Sequence, residues 1–586
     1  MIIKRRVALI AAPWTMYNYP SFQLAILEDS LSRHAELSTT QCSLFFRIAE
    51  ALGAELYSFI SDDYWLAETL GAMLLYGNTE ERKEIVCQRA SELEAEGNRF
   101  AGKFLKTFDS FYPTFERVIA TAVESYHFEN FDAACLTIGM NQLNMSLFVA
   151  RQIKDKNPNV VIILGGASCR KGFAEAAVAN FSFIDHVVVG PGEIVLPELL
   201  LQPDKGKVIY SDSAPAMEVF KRRGALNFDE YYEAYNASVI RASFTPTIIM
   251  ELSRGCVWNK CSFCSYSELS ERLILRKFEN AFAEILAYAD KYKCLRFILT
   301  DSSVPESYIR RINQHLQERG LDIYFYGEIM VDSSILSDPS FYTSRKWGYQ
   351  IGIENITDRI LRRLNKRQSA IDCLYAMKMA EKFGVVYDAN LLTRVPGAGD
   401  EEVAELLMQI EYFRYYRPLN PNRLLVELGS ELHLNLEKAG ELTDHPYNCV
   451  VFPELAVADH ACFLYEYSGS LSPLWDLVDE SMLDWMQYYK SKPEGGYLLS
   501  LRKGPSFTQI DKVVDDHSLR RYNLTGLAEA IYLFCMVPSS LDEIMGRFRS
   551  DAGITEILDT FVREKIMLAA SGKYLSLAID HPRPTE

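Results

Sequence analysis

Glu251-Leu-Ser-Arg-Gly-Cys-Val-Trp-Asn-Lys-Cys-Ser-Phe-Cys264 places three cysteines, Cys256, Cys261 and Cys264, within nine residues. Three thiolates on one loop can hold three irons of a four-iron cluster and leave the fourth iron open to a substrate, because four cysteines are the usual full complement. A tetrahedral zinc site would need a fourth Cys or His nearby. The next cysteine downstream, Cys294, lies in Cys294-Leu-Arg-Phe-Ile-Leu299, which reads as a buried strand. Spacing alone leaves three readings open: a substrate-binding cluster, an incomplete zinc site, or a chance grouping.

The rest of the composition narrows the setting. At 586 residues the chain is too long for one compact core, and its length predicts about three to four domains. A net charge of −17 argues against nucleic acid or an anionic membrane as the main partner. Lys4-Arg5-Arg6 runs directly into an apolar strand, Val7–Ala12, without the apolar length or cleavage site of a signal peptide. No run approaches the ~20 apolar residues of a membrane span. Twelve cysteines scattered over this length do not form a disulfide framework. The expected location is the reducing cytoplasm, which an iron–sulfur cluster requires.

Upstream of the cysteines, residues 1–235 read as an α/β domain. Apolar runs at Val7–Ala12, Ala133–Ile138, Val160–Leu164 and Asp185–Val189 are strand signals. The last three end in Gly139–Asn144, Gly165–Ser168 and Gly190–Glu193, each opening a helix. This is the pattern of a doubly wound parallel sheet, whose ligand sits at the carboxyl ends of the strands. The segment 40–128 has helical periodicity and reads as a helical insertion. The glycines serve tight turns in any case. A nicotinamide site is a weak reading, because no Gly-x-Gly-x-x-Gly follows the first strand.

Downstream, residues 240–430 read as a succession of βα units. Strand signals at 247–251, 295–299, 322–326, 348–353 and 385–392 alternate with helices at 276–292, 308–319, 358–364 and 370–383. Such a run predicts a full or partial TIM-like barrel with its chemistry on the loops after the strands. The cysteines, Asp301, Glu328, Glu354 and Asn390 fall at or near those carboxyl ends. Asp301 and Asn355 read equally as helix N-caps, and Glu328 as a solvated carboxylate. Residues 431–586 form a C-terminal region in which 505–580 reads as a small α+β winged-helix-like module. Its Lys and Arg are too few for a duplex-binding face, whereas an exposed wing edge can accept an extended peptide.

The triplet, with Glu-x-Ser-Arg-Gly-Cys before it and Cys-x-Phe-Cys at its end, resembles the cluster loop of radical S-adenosylmethionine (SAM) enzymes. Its spacing, Cys-x4-Cys-x2-Cys, is one residue longer than the commonest form. Leu164-Gly-Gly-Ala-Ser168 and Asp185 through Val-Val-Gly-Pro-Gly-Glu193 resemble the cobalamin-binding domain that precedes many radical SAM domains. The order of parts, with Trp65–Glu68, Ile138–Gln142 and Lys503–Ser506, resembles radical SAM maturases of ribosomally made peptides. That resemblance implies a doubly wound cobalamin-binding domain (1–235), a radical SAM barrel (240–430) and a C-terminal region (431–586). It implies a 4Fe-4S cluster on Cys256, Cys261 and Cys264, with SAM bound by Glu354, Glu328, Asp301, Ser302 and Asn390. It places Val395-Pro-Gly397 beside the adenine. Cobalamin would meet Gly139, Asn141, Gly165, Gly166, Ala167, Gly190, Gly192 and Glu193. No Asp-x-His-x-x-Gly loop follows the first strand, and neither His34 nor His186 fits that pattern, which implies cobalamin with no His beneath the cobalt.

The implied activity is C-methylation of an unactivated carbon in a peptide substrate, with a leader peptide on the C-terminal module. A flavodoxin or ferredoxin would supply the electron. Three rivals stand beside it: non-methylating radical chemistry on the same scaffold, methylation of a small molecule, and a non-enzymatic cobalamin- or redox-responsive binding protein.

Overall fold

The structure is a computed structural model that describes residues 4–202, 206–268, 273–331, 346–455, 464–515, 518–548 and 553–580. The chain forms two compact units, one of 1–252, 274–298 and 443–466, the other of 253–273, 299–442 and 467–586.

The first unit is built on six strands: β1 (Arg5–Ala11), β2 (Leu37–Ser43), β3 (Ala133–Thr137), β4 (Val161–Gly165), β5 (His186–Val189) and β6 (Val208–Tyr210). They pair in the order β2-β1-β3-β4-β5-β6, every neighbour parallel. The central runs are apolar because helices cover both faces: Val7 through Ala11 and all of β3 are buried. The strand order reverses between β1 and β3, so the crevice at their carboxyl ends is the switch point of the sheet. Ser21 caps the helix Phe22–Leu31 there, accepting the Leu24 N–H at 3.4 Å.

The segment 40–128 is not helical throughout. Leu37–Ser43 is an edge strand in register with β1, Arg5 opposite Leu37 and Ala11 opposite Ser43. Its sequence, Leu-Ser-Thr-Thr-Gln-Cys-Ser, suits a strand with one wet face, and such a strand carries no long apolar run. Five helices follow it, from Leu44 to Ser125.

In the second unit, strands Tyr324–Ile329, Trp347–Ile351 and Val386–Asp388 lie side by side in parallel. The expected single strand 385–392 breaks at Ala389. Asp388 still pairs with Gln350, whereas Asn390–Thr393 pairs with Asn420–Arg423, and the Ala389 carbonyl accepts the Asn420 N–H at 2.8 Å. Helices Asp358–Arg363, Ala370–Phe383 and Asp400–Phe413 make the crossovers.

An antiparallel meander, Leu499–Lys503, Thr508–Asp515 and Ser518–Leu524, was not evident in the sequence. Helices Gly526–Phe534, Leu541–Arg547 and Ile554–Arg563 follow, then a hairpin of Met567–Ala570 with Lys573–Ser576. Positive φ at Ser571 (55°) and Gly572 (72°) provides the tight turn that a two-residue hairpin loop needs.

Lys378, fully buried on helix Ala370–Phe383, pins this region. Its ammonium donates to the carbonyls of Ser576 at 2.6 Å and Met536 at 3.1 Å. Burial pushes its pKa down to about 7, although Asp580 pulls it upward. An unfolded lysine titrates near 10.4, so between about pH 7 and 10 the unfolded chain binds the extra proton and stability rises with pH. We expect Lys378→Met to lower urea stability by about 1–3 kcal/mol, since two carbonyls lose their donor. That deficit should widen between about pH 6 and about pH 9.5, and a pH-independent deficit would show that the buried lysine keeps its charge.

Candidate active site

Strand Ile248–Met250 leads into the cysteine stretch. From Gly255 to Cys264 the backbone has neither helix nor strand, so its neighbours must fix the thiols. The Ser253 hydroxyl donates to Asp301. The Ser262 N–H reaches the Leu364 carbonyl at 3.0 Å, and the Ser262 carbonyl accepts the Leu432 N–H at 2.7 Å. The Trp258 indole N–H donates to the Asn365 carbonyl at 2.7 Å, and the Ser265 hydroxyl to Glu427 at 2.8 Å. Gly255 (φ 96°) turns the chain into the loop, and Asn259 (φ 49°) takes a left-handed conformation that Asn tolerates.

Cys256, Cys261 and Cys264 are half-buried free thiols that line one cavity of about 520 Å³. Asp301, Ser302, Glu328, Glu354 and Asn390 line the same cavity, whereas the turn Val395–Gly397 expected beside the adenine is not part of its lining. Burial pushes the Cys261 thiol up to about 11 and raises Cys264 as well. A cysteine binds metal as the thiolate, so loading iron here releases protons and is pH-dependent. Among the described residues, no three His, Cys, Asp or Glu side chains converge as a site for a single ion. A four-iron cluster asks for something else, each thiolate at its own iron, and three thiols opening on one cavity fit that demand.

Glu354 sits just past strand Trp347–Ile351 in a left-handed conformation, φ 62°. Its backbone bridges to Leu391 and its carbonyl accepts the Leu392 N–H at 2.7 Å. Lys366 Nζ lies 3.4 Å from its carboxylate, and both side chains are nearly buried. Burial raises the Glu354 carboxyl while Lys366 opposes the rise. Lys366 and Gln368 are cavity residues that the sequence reading missed. Gln368 donates to the carbonyls of Gly352 at 2.7 Å and Ile353 at 3.1 Å, fixing the turn before Glu354. Asn355 acts as a turn cap, accepting the N–H groups of Ile356 and Thr357. Buried Asp301 is tied to the cysteine stretch through Ser253. Glu328 lies within its strand, exposed, and its carbonyl accepts the Val304 N–H at 2.7 Å. Asn390 accepts from Asn422 at 2.8 Å. At the turn Val395–Gly397, the Arg363 guanidinium comes within 3.0 Å of where a Gly397 side chain would begin.

In the first unit, the loop after β3 is tightly held. The Gln142 side chain accepts the Gly139 N–H at 2.9 Å and donates to the Ala12 carbonyl, tying the ends of β1 and β3 together. Asn141 (φ 68°) donates to the Ser61 carbonyl at 2.8 Å. Among the described residues its Oδ1 and the Trp14 indole N–H are buried without a partner, the kind of polar atoms that a ligand at this crevice would satisfy. The Glu68 carboxylate, missed in the sequence, accepts the N–H groups of Leu143 and Asn144 at 2.8 and 2.9 Å. Burial raises its pKa to about 7 against those two donors.

Gly166 (φ 111°) must be glycine, since a Cβ there would come within 2.6 Å of the Ile138 carbonyl oxygen. Gly165 ends β4, and Ala167 is exposed beyond it. Gly190 (φ 94°) follows β5 and Gly192 starts the helix Gly192–Leu201. Glu193 is buried, its carbonyl accepting the Ser30 hydroxyl. His186, at the amino end of β5, bonds the Gly206 carbonyl at 2.7 Å.

No protein-family model matches the chain. Over 272 residues it is 26% identical to an uncharacterized methyltransferase of Pyrococcus horikoshii, covering 44% of this chain and 58% of that relative. The chain therefore spans little more than half the length of the curated relative it matches. Among solved structures it superposes on the radical SAM methyltransferase TsrM of Kitasatospora setae, solved with cobalamin and a 4Fe-4S cluster bound. The TM-score is 0.53 at 13% identity, over 82% of this chain and 91% of that one. It also superposes on the cobalamin-dependent SAM radical enzyme OxsB, solved with aqua-cobalamin and SAM, with a TM-score of 0.53 at 12% identity over 84% and 68% of the two chains. The chain shares their fold. Within that fold this chain's three thiols occupy a single cavity with Glu354 and Asp301.

Replacing Cys256, Cys261 and Cys264 together by Ala should reduce anaerobically reconstituted iron from about four atoms per chain to a trace. Iron and sulfide analysis reads this directly. A retained full complement would place the metal elsewhere.

Proposed function

We propose that the chain is a cobalamin-dependent radical SAM methyltransferase that acts on an unactivated carbon of a ribosomally made peptide in the cytoplasm. The observation that carries the reading is the shared cavity of three cysteine thiols and an acid set, in a chain with this fold. Cys256, Cys261 and Cys264 would hold the 4Fe-4S cluster. Glu354, Glu328, Asp301, Ser302 and Asn390 would bind SAM. Gly139, Asn141, Gly165, Gly166, Ala167, Gly190, Gly192 and Glu193 belong to the loops that would hold cobalamin. When bound, these groups supply radical generation from SAM and a transferable methyl group.

The chain's own contribution is positional. Lys366 favours the ionised form of Glu354 against the effect of burial and fixes its position, while Gln368 sets the turn that presents it. An ionised Glu354 accepts hydrogen bonds from the polar end of SAM without competing for a proton. Gln142 and Glu68 hold the loop after β3 in place. The C-terminal module would recruit the leader of the peptide by accepting it as an added strand. A second reading, methylation of a free amino acid, draws on TsrM, which is also solved with a tryptophan substrate and a SAM analogue.

Anaerobic incubation of the reconstituted enzyme with SAM, reductant and peptide decides among these. Methylation adds one CH2 unit to the peptide, crosslinking removes two hydrogens, and epimerisation leaves the mass unchanged. Absence of SAM cleavage in the reduced, fully loaded enzyme would overturn the proposal. Glu354→Gln should weaken SAM binding by at least about tenfold in equilibrium dialysis, the cost of a hydrogen bond to a charged acceptor. Unchanged affinity would remove Glu354 from the SAM site.

A further inference from the structure

Lys366 is a nearly buried cation in a cavity of acids. The lining that holds the three thiols also holds the carboxylates of Asp301, Glu328 and Glu354. Two further cations of the lining, Lys260 and Arg423, are exposed, whereas the Lys366 side chain is 12% exposed. A buried ammonium keeps its charge only where anions compensate its lost hydration. Glu354, at 3.4 Å, is one such anion.

Local sequence places this amine beside the sulfurs. Helix Asp358–Arg363 ends in a turn where the Asn365 N–H reaches the Arg362 carbonyl at 3.1 Å and the Lys366 N–H the Leu361 carbonyl at 2.9 Å. Asn365 takes the left-handed conformation, φ 52°, that such a helix ending uses. A helix end leaves its last carbonyls without intrahelical partners, and the cysteine loop bonds three of them. Arg363 accepts the Ser262 hydroxyl at 3.1 Å, Leu364 the Ser262 N–H at 3.0 Å, and Asn365 the Trp258 indole N–H at 2.7 Å. Lys366 is the next residue, so its backbone is tied to neighbours on both sides of Cys261. Its Nζ reaches into the cavity, 3.2 Å from where a Gly352 side chain would begin. Burial raises the Cys261 thiol, and of the charged groups around it Lys366 acts most strongly, lowering it, ahead of Glu354. The ammonium and its partner carboxylate therefore do not cancel at this sulfur.

We propose that Lys366 raises the reduction potential of the cluster, its ammonium stabilising the electron that the cluster takes up. The inference rests on the proposed function, which puts a four-iron cluster on these cysteines. In the step an external one-electron reductant is oxidised and the cluster is reduced, with no bond made or broken. Reduction adds one negative charge, and a fixed cation in a low-dielectric cavity favours the more negative state. Net charge is among the factors that set a cluster's potential. Glu354 acts in the opposite direction.

The test uses the full chain, reconstituted anaerobically with iron and sulfide and titrated with dithionite in the absence of SAM. Electron paramagnetic resonance follows the reduced cluster against the solution potential, and iron analysis checks for equal loading. In Lys366→Gln the equilibrium constant for reduction should fall about tenfold or more, a midpoint lower by about 59 mV or more for one electron. Lys366→Arg, which keeps the charge, should stay at the wild-type midpoint. Glu354→Gln, which removes the opposing charge, should move it upward. A fully loaded Lys366→Gln with the wild-type midpoint would overturn the proposal, and weaker SAM binding in that variant would then assign Lys366 to SAM instead. Midpoints that fall in both Lys366→Gln and Glu354→Gln would also overturn it, since a loosened cavity and not charge would be the cause. If Lys366→Gln holds no cluster, the other two variants decide: a lowered midpoint in Lys366→Arg, or an unmoved one in Glu354→Gln, would overturn the proposal. A wild-type chain that reconstitutes no four-iron cluster would instead contradict the proposed function.

Discussion

The peptide unit around Ser262 is the constraint on which the site depends. A loop without helix or strand must present three sulfurs together, and each ordered residue costs about 1–2 kcal/mol of backbone entropy. Ser262 answers this between the second and third cysteines: its N–H is held by Leu364 and its carbonyl by Leu432. Ser253 to Asp301 ties the stretch before Cys256, and Ser265 to Glu427 ties the stretch after Cys264. Each thiol therefore lies within three residues of an anchored neighbour. These hydrogen bonds offset part of the entropy cost of ordering the loop.

The same economy governs the acids that share the cavity. A buried carboxylate drifts towards its neutral form unless a cation or donors hold its charge. Glu354 has Lys366, whose own protonation is lowered by burial but raised overall by its anionic neighbours. In the first unit Glu68 has two backbone N–H donors instead, and burial still carries it to about 7. The difference suits the two positions. Glu354 opens on a cavity and needs a dependable charge, whereas Glu68 is a strut inside the packing.

Much of this was legible in the sequence because the signals are local. Apolar runs named β1, β3, β4 and β5, the last three marked by the glycine loops that end them, and the cysteine spacing named the loop. Strand-end positions named Asp301, Glu328, Glu354 and Asn390, and the structure opens all of them on one cavity. What escaped were features made by long-range partners. β2 and the meander from 499 to 524 are polar strands whose only signature is the neighbour they pair with. Lys366 and Gln368 look like surface residues after a helix, and only the crossover from Glu354 brings them back to the cavity. The break at Ala389 has no local signal at all, since it marks where one strand exchanges one partner for another.

The central claim is that three cysteines hold a cluster whose remaining iron is open to SAM. Electron paramagnetic resonance of the reduced, reconstituted enzyme, recorded without and with SAM, tests it most directly. Direct ligation of the open iron should shift the cluster's g-values when SAM is added, and in Glu354→Gln the same shift should need at least about tenfold more SAM. Identical spectra with and without saturating SAM would contradict the account.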